Sequence, residues 1–258
     1  MNRTNNFFFV EEDYFNTQHF GIRMGNVKTK TNFISESKEN LIRNFDEMVS
    51  KSKEEGYKHL TFKVGTNQKE IIKCAMNEGM EIADTLVRYV FDFSKSTLPQ
   101  IYHKCSLKDC TKDDINALKE ISRNSFKIDR FHSDDNLPNE LCDLYYDKWI
   151  ENSYNGYADK VIVAHYNNEA VGFTTGRLDL VEGYGQLVLS AVSDKYRGIG
   201  VYTSMIYHGV EWLMKNRNEA MRGVIVGTQI DNIAVQKSWI KLGFTIFDSQ
   251  YVFQKYFG

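Results

Sequence analysis

The residues with the clearest chemical potential lie between an apolar run, Leu187-Val188-Leu189, and a helical stretch that begins at Val201. They are Ser193-Asp194-Lys195-Tyr196-Arg197-Gly198-Ile199-Gly200. A strand that turns through small residues into a helix exposes main-chain N–H groups. Glycines let the chain approach a ligand closely and the helix N-terminus adds partial positive charge, so a pyrophosphate is the natural guest. Arg197 places a formal charge beside those amides. Glycine-bearing turns also open helices that bind nothing, so the loop alone leaves an ordinary turn and an anion site both open. Asn232, at the head of Asn232-Ile233-Ala234-Val235, has two readings as well: a ligand contact, or a helix N-terminus satisfying its own turn.

In this order the two segments resemble the GNAT N-acetyltransferase superfamily. Its pyrophosphate motif, Arg/Gln-x-x-Gly-x-Gly/Ala, is matched by Arg197-Gly198-Ile199-Gly200-Val201-Tyr202, with Tyr202 where the family has a small residue. The segment from Asn232 to Gly243-Phe244 looks like its second motif, Asn-x-x-Ala followed by Tyr-x-x-x-Gly-Phe. The resemblance implies acetyl-CoA as cofactor, its pyrophosphate on Arg197, Gly198, Ile199, Gly200, Val201 and Tyr202. It also implies a pantetheine arm between two splayed strands, with main-chain contacts over Leu189 to Val192 and a side-chain contact from Asn232. An N–H near Ala191 or Val192 is then the expected oxyanion donor. The family's usual proton donor, a Tyr seven residues after the Asn, is here Trp239, whose indole N–H can hydrogen-bond but is no useful acid. Ser238 and Tyr202 are the nearby hydroxyls, and His132 and Glu182, in loop-like segments, are the candidate bases. No metal site is expected.

Two further segments, Arg130-Phe131-His132-Ser133-Asp134 and Leu144-Tyr145-Tyr146-Asp147-Lys148-Trp149-Ile150, are similar to the TDP-fucosamine (dTDP-4-amino-4,6-dideoxygalactose) acetyltransferase group. That resemblance implies an acceptor amine on a nucleotide-linked amino sugar destined for surface glycan, with Arg130 and His132 at the sugar pocket. Core packing is the preferred account of Phe131 and Trp149, whereas a purely structural role, an ion pair in the case of Arg130, stands level with the sugar-pocket reading for Arg130 and His132. Two alternatives stay open: an acetyltransferase for another small amine or a protein N-terminus, and a catalytically silent acyl-CoA-binding module.

The elements that must position these residues show an internal echo. Val64-Gly65-Thr66 is followed by a helical stretch and Gly79-Met80-Glu81-Ile82-Ala83-Asp84-Thr85. Val226-Gly227-Thr228 is followed likewise by Gly243-Phe244-Thr245-Ile246-Phe247-Asp248-Ser249. Each copy reads as strand, helix, glycine turn and a strand pair. Two related halves are therefore expected, residues 1–98 and 99–258, parted near Ser94–Pro99. In the second, the patterning predicts a strand over 101–107, helices over 113–126 and 137–149, and a hairpin about Asn167-Asn168. A strand over 185–192, a helix over 201–215, a strand over 223–226, a helix over 232–242 and two closing strands follow. The class is α+β with a mixed, largely antiparallel sheet: a GNAT fold preceded by a degenerate GNAT-like half.

The bulk numbers fit a folded enzyme. The 258 residues are 42% hydrophobic and 14% aromatic, enough for a sizeable core. Lys and Arg total 32 against 34 Asp and Glu, scattered along the chain, which argues against a nucleic-acid partner. Cys74, Cys105, Cys110 and Cys142 form neither a Cys-x-x-Cys pair nor a regular framework, as in a reduced, cytoplasmic protein. Phe7-Phe8-Phe9-Val10, closed by Glu11-Glu12-Asp13, is too short and acidic for a signal peptide, and no run reaches the ~20 apolar residues of a membrane span. A monomer or homodimer is expected.

Overall fold

The computed structural model describes residues 7–30, 36–127 and 129–258. In chain order they form β1 (Phe8–Glu12), α1 (Tyr14–Phe20), β2 (Met24–Thr29), α2 (Lys38–Glu54), β3 (His59–Gly65), α3 (Lys69–Asn77), β4 (Glu81–Asp92) and β5 (Ser106–Asp109). Then come α4 (Ile115–Ser125), α5 (Asn139–Asn152), β6 (Lys160–Tyr166), β7 (Glu169–Val181), β8 (Tyr184–Val192), α6 (Val201–Asn216), β9 (Gly223–Gln229), α7 (Ile233–Lys241) and β10 (Thr245–Tyr256).

The chain divides into two compact units: Met1–Leu86 with Arg130–Leu141 and Ser249–Gly258, and Val87–Asp129 with Cys142–Asp248. This does not follow the expected partition at 98/99 residue for residue. The change of unit falls inside β4, and two later segments belong with the N-terminal part.

In the first unit the strand order is β1-β2-β3-β10. β3 pairs in parallel with β2 from Met24↔His59 to Val27↔Phe62, and antiparallel with β10 along its whole length, from Tyr256↔His59 to Gln250↔Gly65. α2 buries Leu41, Phe45, Met48, Val49 and Ser52, a stripe at helical spacing. Phe45 meets Phe8 edge-on at a centroid distance of 4.9 Å and lies 5.6 Å from Phe62, in one apolar cluster with Val64, Ile71 and Cys74. The 130–141 segment is tied to β3 by polar groups. Arg130 Nη1 donates to Thr61 Oγ1 (3.0 Å), and His59 Nε2 lies 3.3 Å from Asp134 Oδ2, both side chains almost fully buried.

In the second unit the order is β4-β9-β8-β7-β6-β5. β5 to β8 pair antiparallel, while β8 and β9 run parallel. Two-residue turns close the hairpins β6–β7 and β7–β8: Asn167-Asn168, with φ of 50° and 65°, and Glu182-Gly183, with φ of 55° and 85°. Left-handed backbone at both positions matches the twist of the paired strands. α4 is opened by a capping box in which Thr111 and Asp114 satisfy each other. α6 buries Val201, Ser204, Met205, Ile206, Gly209, Val210 and Leu213. A Cβ on Gly209 would stand 2.8 Å from Leu187 Cδ2, so glycine there lets the helix lie close on β8.

Three expectations change. The strand predicted over 101–107 is confined to Ser106–Asp109, because the residues before it, including Tyr102 at 86% exposure, have no face to bury. Each predicted closing strand pair is one twelve-residue strand, β4 or β10. In β10 the Asp248 carboxylate is held by Arg88, so the polar stretch Asp248-Ser249-Gln250 stays extended instead of turning. Among the described residues no helix is long and apolar enough to cross a membrane.

Candidate active site

β8 and β9 keep register only from Tyr184↔Gly223 to Gln186↔Ile225. Beyond that point a cavity of about 100 Å³ lies between Leu187–Ser190 and Val226–Thr228, closed by Phe126, Tyr202, Ile206, Asn232, Val235 and Trp239. The strands part where β8 bulges. Thr174 of β7 faces Ser190 and Gly176 faces Leu187, so Val188 and Leu189 together oppose Thr175. A bulge bends its strand and raises the local twist, which carries the rest of β8 away from β9.

The bulge also decides which amides face the opening. Leu189 N–H donates to Thr175 Oγ1 (3.0 Å), and Ser193 N–H donates to Val171 O (2.9 Å). Successive main-chain groups alternate sides along a strand, so Leu189 and Ala191 face β7 while Ser190 and Val192 face the gap. The side-chain contact between Ser190 Oγ and Thr174 Oγ1 (2.6 Å) fits this register, since non-hydrogen-bonded pairs bring side chains closest. Of the main-chain contacts expected over Leu189 to Val192, those of Leu189 and Ala191 are therefore spent within the sheet. Ser190 and Val192 are the residues of that range whose main-chain groups face the gap.

The glycine loop follows at the end of β8. A short turn at Asp194–Tyr196 leads to Gly198 and Gly200, whose φ values of 79° and 96° are open to glycine at little cost. A Cβ at Gly198 would meet nothing within 4 Å, so conformation, not crowding within the chain, calls for glycine there. Ser204 N–H makes the first helical bond, to Gly200 O (3.0 Å). The N–H groups of Val201, Tyr202 and Thr203 precede that bond and have no intrahelical acceptor, and Gly200 brings no capping side chain. Arg197 serves the loop itself: Nε donates to Val192 O (3.3 Å) and Nη2 pairs with Asp194 (2.8 Å). Ile199 is exposed beside these glycines.

Asn232 turns out to satisfy both of its readings. Its Oδ1 accepts from Val235 N–H (3.4 Å) as the cap of α7, its Nδ2 donates to Thr228 Oγ1 (3.0 Å), and it lines the cavity. Trp239 is buried against Tyr89 and Phe244, and its indole nitrogen has no hydrogen-bond partner among the described residues. Burial pushes the Tyr202 hydroxyl well above the usual phenol range, with the Trp239 N–H acting the other way.

The remaining candidates stand elsewhere. Ser238 Oγ donates to Ala234 O (3.1 Å) on the exposed side of α7. Glu182 sits at the tip of the β7–β8 hairpin, paired with Arg88, at the end of β8 where β9 is still in register. That places it eight residues of strand, roughly 26 Å, from Ser190, too far to act as a base at the gap. Arg130 and His132 belong to the first unit. Sequence reading missed Phe126, Val188 and Ile206. It had singled out Val226-Gly227-Thr228 only as an echo, whereas these three residues form one wall of the cavity.

The site thus combines a mixed sheet, a parallel pair that splays apart and an uncapped, glycine-led helix N-terminus. The pattern of the acetyltransferase (GNAT) family matches residues 115–244, about half of the chain, and the chain belongs to that family. A spore coat polysaccharide biosynthesis protein, SpsD, of Bacillus subtilis is 28% identical over 140 residues, which are 54% of this chain and 47% of that protein. The chain thus matches about half the length of this curated relative. Among solved structures, a GCN5-related N-acetyltransferase from Sphaerobacter thermophilus aligns with a TM-score of 0.61 at 10% identity, over 97% of this chain and 76% of the other. A tandem GNAT protein from the clavulanic acid biosynthesis pathway aligns at 0.59 and 14% identity, over 92% and 76%. Both share the fold, and the tandem protein matches the reading of two related halves.

Proposed function

We propose that this chain transfers an acetyl group from acetyl-CoA to the amine of a nucleotide-linked amino sugar, in the cytosol, for the assembly of a surface polysaccharide. The observation that carries the transfer reading is the gap between β8 and β9, which opens beside an uncapped helix N-terminus. The residues fit the donor. Amides of Gly198 to Thr203 suit the pyrophosphate, the free edges of Ser190 and Val192 suit the amides of a pantetheine arm, and the cavity suits a small acyl thioester. Bound acetyl-CoA supplies an activated thioester, and the N–H of Ser190 or Val192 supplies the hydrogen bond to the developing oxyanion.

The thiols of Cys105 and Cys110 are not set up for an acyl-enzyme route. Burial raises the Cys105 thiol, and it pushes that of Cys110 up to about 12, so both stay protonated and direct transfer to the amine is favoured. The sugar reading rests on the polysaccharide biosynthesis relative and on the resemblance of the Arg130–Asp134 segment to sugar-nucleotide acetyltransferases. Phe126, which lines the cavity, also stacks on Tyr146 at 4.3 Å, an aromatic surface suited to a sugar face.

The test is incubation with acetyl-CoA and a panel of amines, read as free-thiol release. Turnover is expected with nucleotide-linked amino sugars and not with peptide N-termini. Binding of acetyl-CoA without turnover on any nucleotide-sugar amine overturns the acceptor, and calorimetry showing no binding overturns the donor.

A further inference from the structure

We infer that Lys104, which lies outside the glycine loop, supplies the formal positive charge for the pyrophosphate of the bound donor, while Arg197 holds the loop in shape. The inference rests on the donor reading above and deepens it. Gly200 is the residue at which the loop becomes helix α6. Among the described residues, the nearest atom reaching it from elsewhere in the chain is Lys104 Cγ, 3.6 Å from where a Cβ would stand. The stem of Lys104 therefore lies against the opening of the helix, beside the amides of Val201 to Thr203 that have no intrahelical acceptor.

The neighbours of Lys104 fix its backbone there. The chain bends at Lys104-Cys105, just before β5. Cys105 packs against the cluster of Val192, Tyr196, Val201 and Met205, and the His103 ring meets that of Tyr207 edge-on at 5.3 Å. Both anchors engage the first two turns of α6, so the segment is laid along the end of the helix that the ligand would meet.

The cations of the loop itself are committed. Arg197 Nε donates to Val192 O (3.3 Å), and its Nη2 pairs with Asp194 Oδ1 (2.8 Å) and donates to Ser125 Oγ (3.4 Å). Those contacts tie the end of β8, the turn and the end of α4 together, and Asp194 balances the guanidinium charge. Lys195 stands over the Tyr196 ring at 4.9 Å, with Glu169 3.9 Å away. Lys104 is exposed and has neither an ion pair nor a hydrogen-bond acceptor among the described residues. Its ammonium is three single bonds beyond Cγ and can turn over Gly200. A point charge on a flexible stem suits the oxygens of a phosphate, whose positions vary as the ligand settles, and the helix amides fix the rest of the group.

The test is calorimetry on the full chain with CoA and with dephospho-CoA, which lacks the 3′-phosphate and keeps the pyrophosphate. Lys104→Met retains most of the stem and removes the charge. It should weaken both ligands by the same factor, about fivefold at low salt, because an exposed ion pair contributes modestly. Lys104→Glu should weaken both further, and Lys104→Arg should bind within about twofold of the wild type, since the charge is kept. The loss in Lys104→Met should shrink as salt is raised, as exposed charges are screened. Equal CoA affinity in the wild type and Lys104→Met overturns the inference and leaves the donor site in place. A loss confined to CoA overturns it by moving Lys104 to the 3′-phosphate, and a loss that salt does not diminish overturns it by making Lys104 a packing residue. A wild type that binds neither ligand removes the donor reading as well.

Discussion

The two helices that follow β2 and β8 begin in opposite electrostatic states. α2 is capped by Ser37, whose side chain accepts from Asn40 N–H, and it carries Glu39 in its first turn. Main-chain hydrogen bonding, assisted by Ser37, holds the Glu39 carboxyl below the usual range, so it stays ionised. The positive end of that helix is neutralised by its own chain. α6 begins at Gly200, with no capping side chain and no acid in its first turn. The strands differ in the same sense. β3 is paired along its full length by β10 and its neighbourhood is filled by Phe8, Phe45 and Phe62, whereas β9 loses β8 after Ile225 and borders a cavity. The echoed unit itself is nearly the same in both: nine-residue helices α3 and α7, left-handed Gly79 and Gly243, and twelve-residue strands β4 and β10. The repeat is scaffold, and the two copies differ in what one of them leaves unsatisfied.

The largest expected effect breaks the open terminus. Gly200→Val puts a β-branched residue at φ 96°, which costs roughly 1–3 kcal/mol if the conformation is kept and re-aims the first amides of α6 if it is not. Acetyl-CoA affinity should fall about a hundredfold by calorimetry while the chain stays folded. Unchanged affinity moves the donor site away from this loop and ends the contrast between the helices.

The polar pair of the first unit gives the next effect. The His59 ring 3.3 Å away, against the cost of burial, holds the Asp134 carboxyl below its ordinary value, with hydrogen bonds from Asn136 assisting. A depressed carboxyl stabilises the fold above the unfolded value, about pH 4, and that contribution is lost as pH falls through the lower folded value. Asp134→Asn should therefore cost about 2 kcal/mol at pH 6 and progressively less towards pH 2, read from urea unfolding at each pH. A cost that does not shrink with acid removes ionic character from the pair.

Adding to α6 what α2 already has gives a smaller change. Thr203→Glu places an acid in the first turn of α6, favourable to the helix by roughly 0.3–1 kcal/mol and unfavourable to a bound phosphate. Melting temperature should rise slightly while acetyl-CoA affinity drops about tenfold. A fall in both would mean that Thr203 matters for packing and not for the field at the helix end.

Much of this contrast was legible in the residues, and the illegible part has identifiable causes. Helices α4, α6 and α7 follow apolar periodicity, and Asn167-Asn168 marks its hairpin, because these features are local. The glycine loop was legible for the same reason. The gap was not, because it is the loss of pairing between strands whose residues look alike on both sides of Gln186, and it turns on a bulge set by Thr175 of a third strand. The range Leu189 to Val192 was read as a whole for that reason: a one-residue shift exchanges the edge that faces the gap. Glu182 looked like a loop carboxylate available for chemistry. Its partner Arg88 lies 94 positions away in sequence, and only the fold brings them together.

The smallest prediction bears on α2 alone. Ser37→Ala removes the side chain that accepts from Asn40 N–H at 3.2 Å, on an exposed helix end. Loss of such a cap costs about 1 kcal/mol, so the urea midpoint should fall modestly and the slope should hold. It also leaves one more amide of α2 unsatisfied, and so makes that terminus more like α6. Glu39 still stands in the first turn and Phe8, Phe45 and Phe62 still fill the space beside β3. The stoichiometry of acetyl-CoA should therefore stay at one per chain by calorimetry, with the affinity of the α6 site unchanged. A second binding event appearing in Ser37→Ala would show that one capping side chain is all that silences the N-terminal half. Its absence assigns the silence to the filled space as well as to the cap.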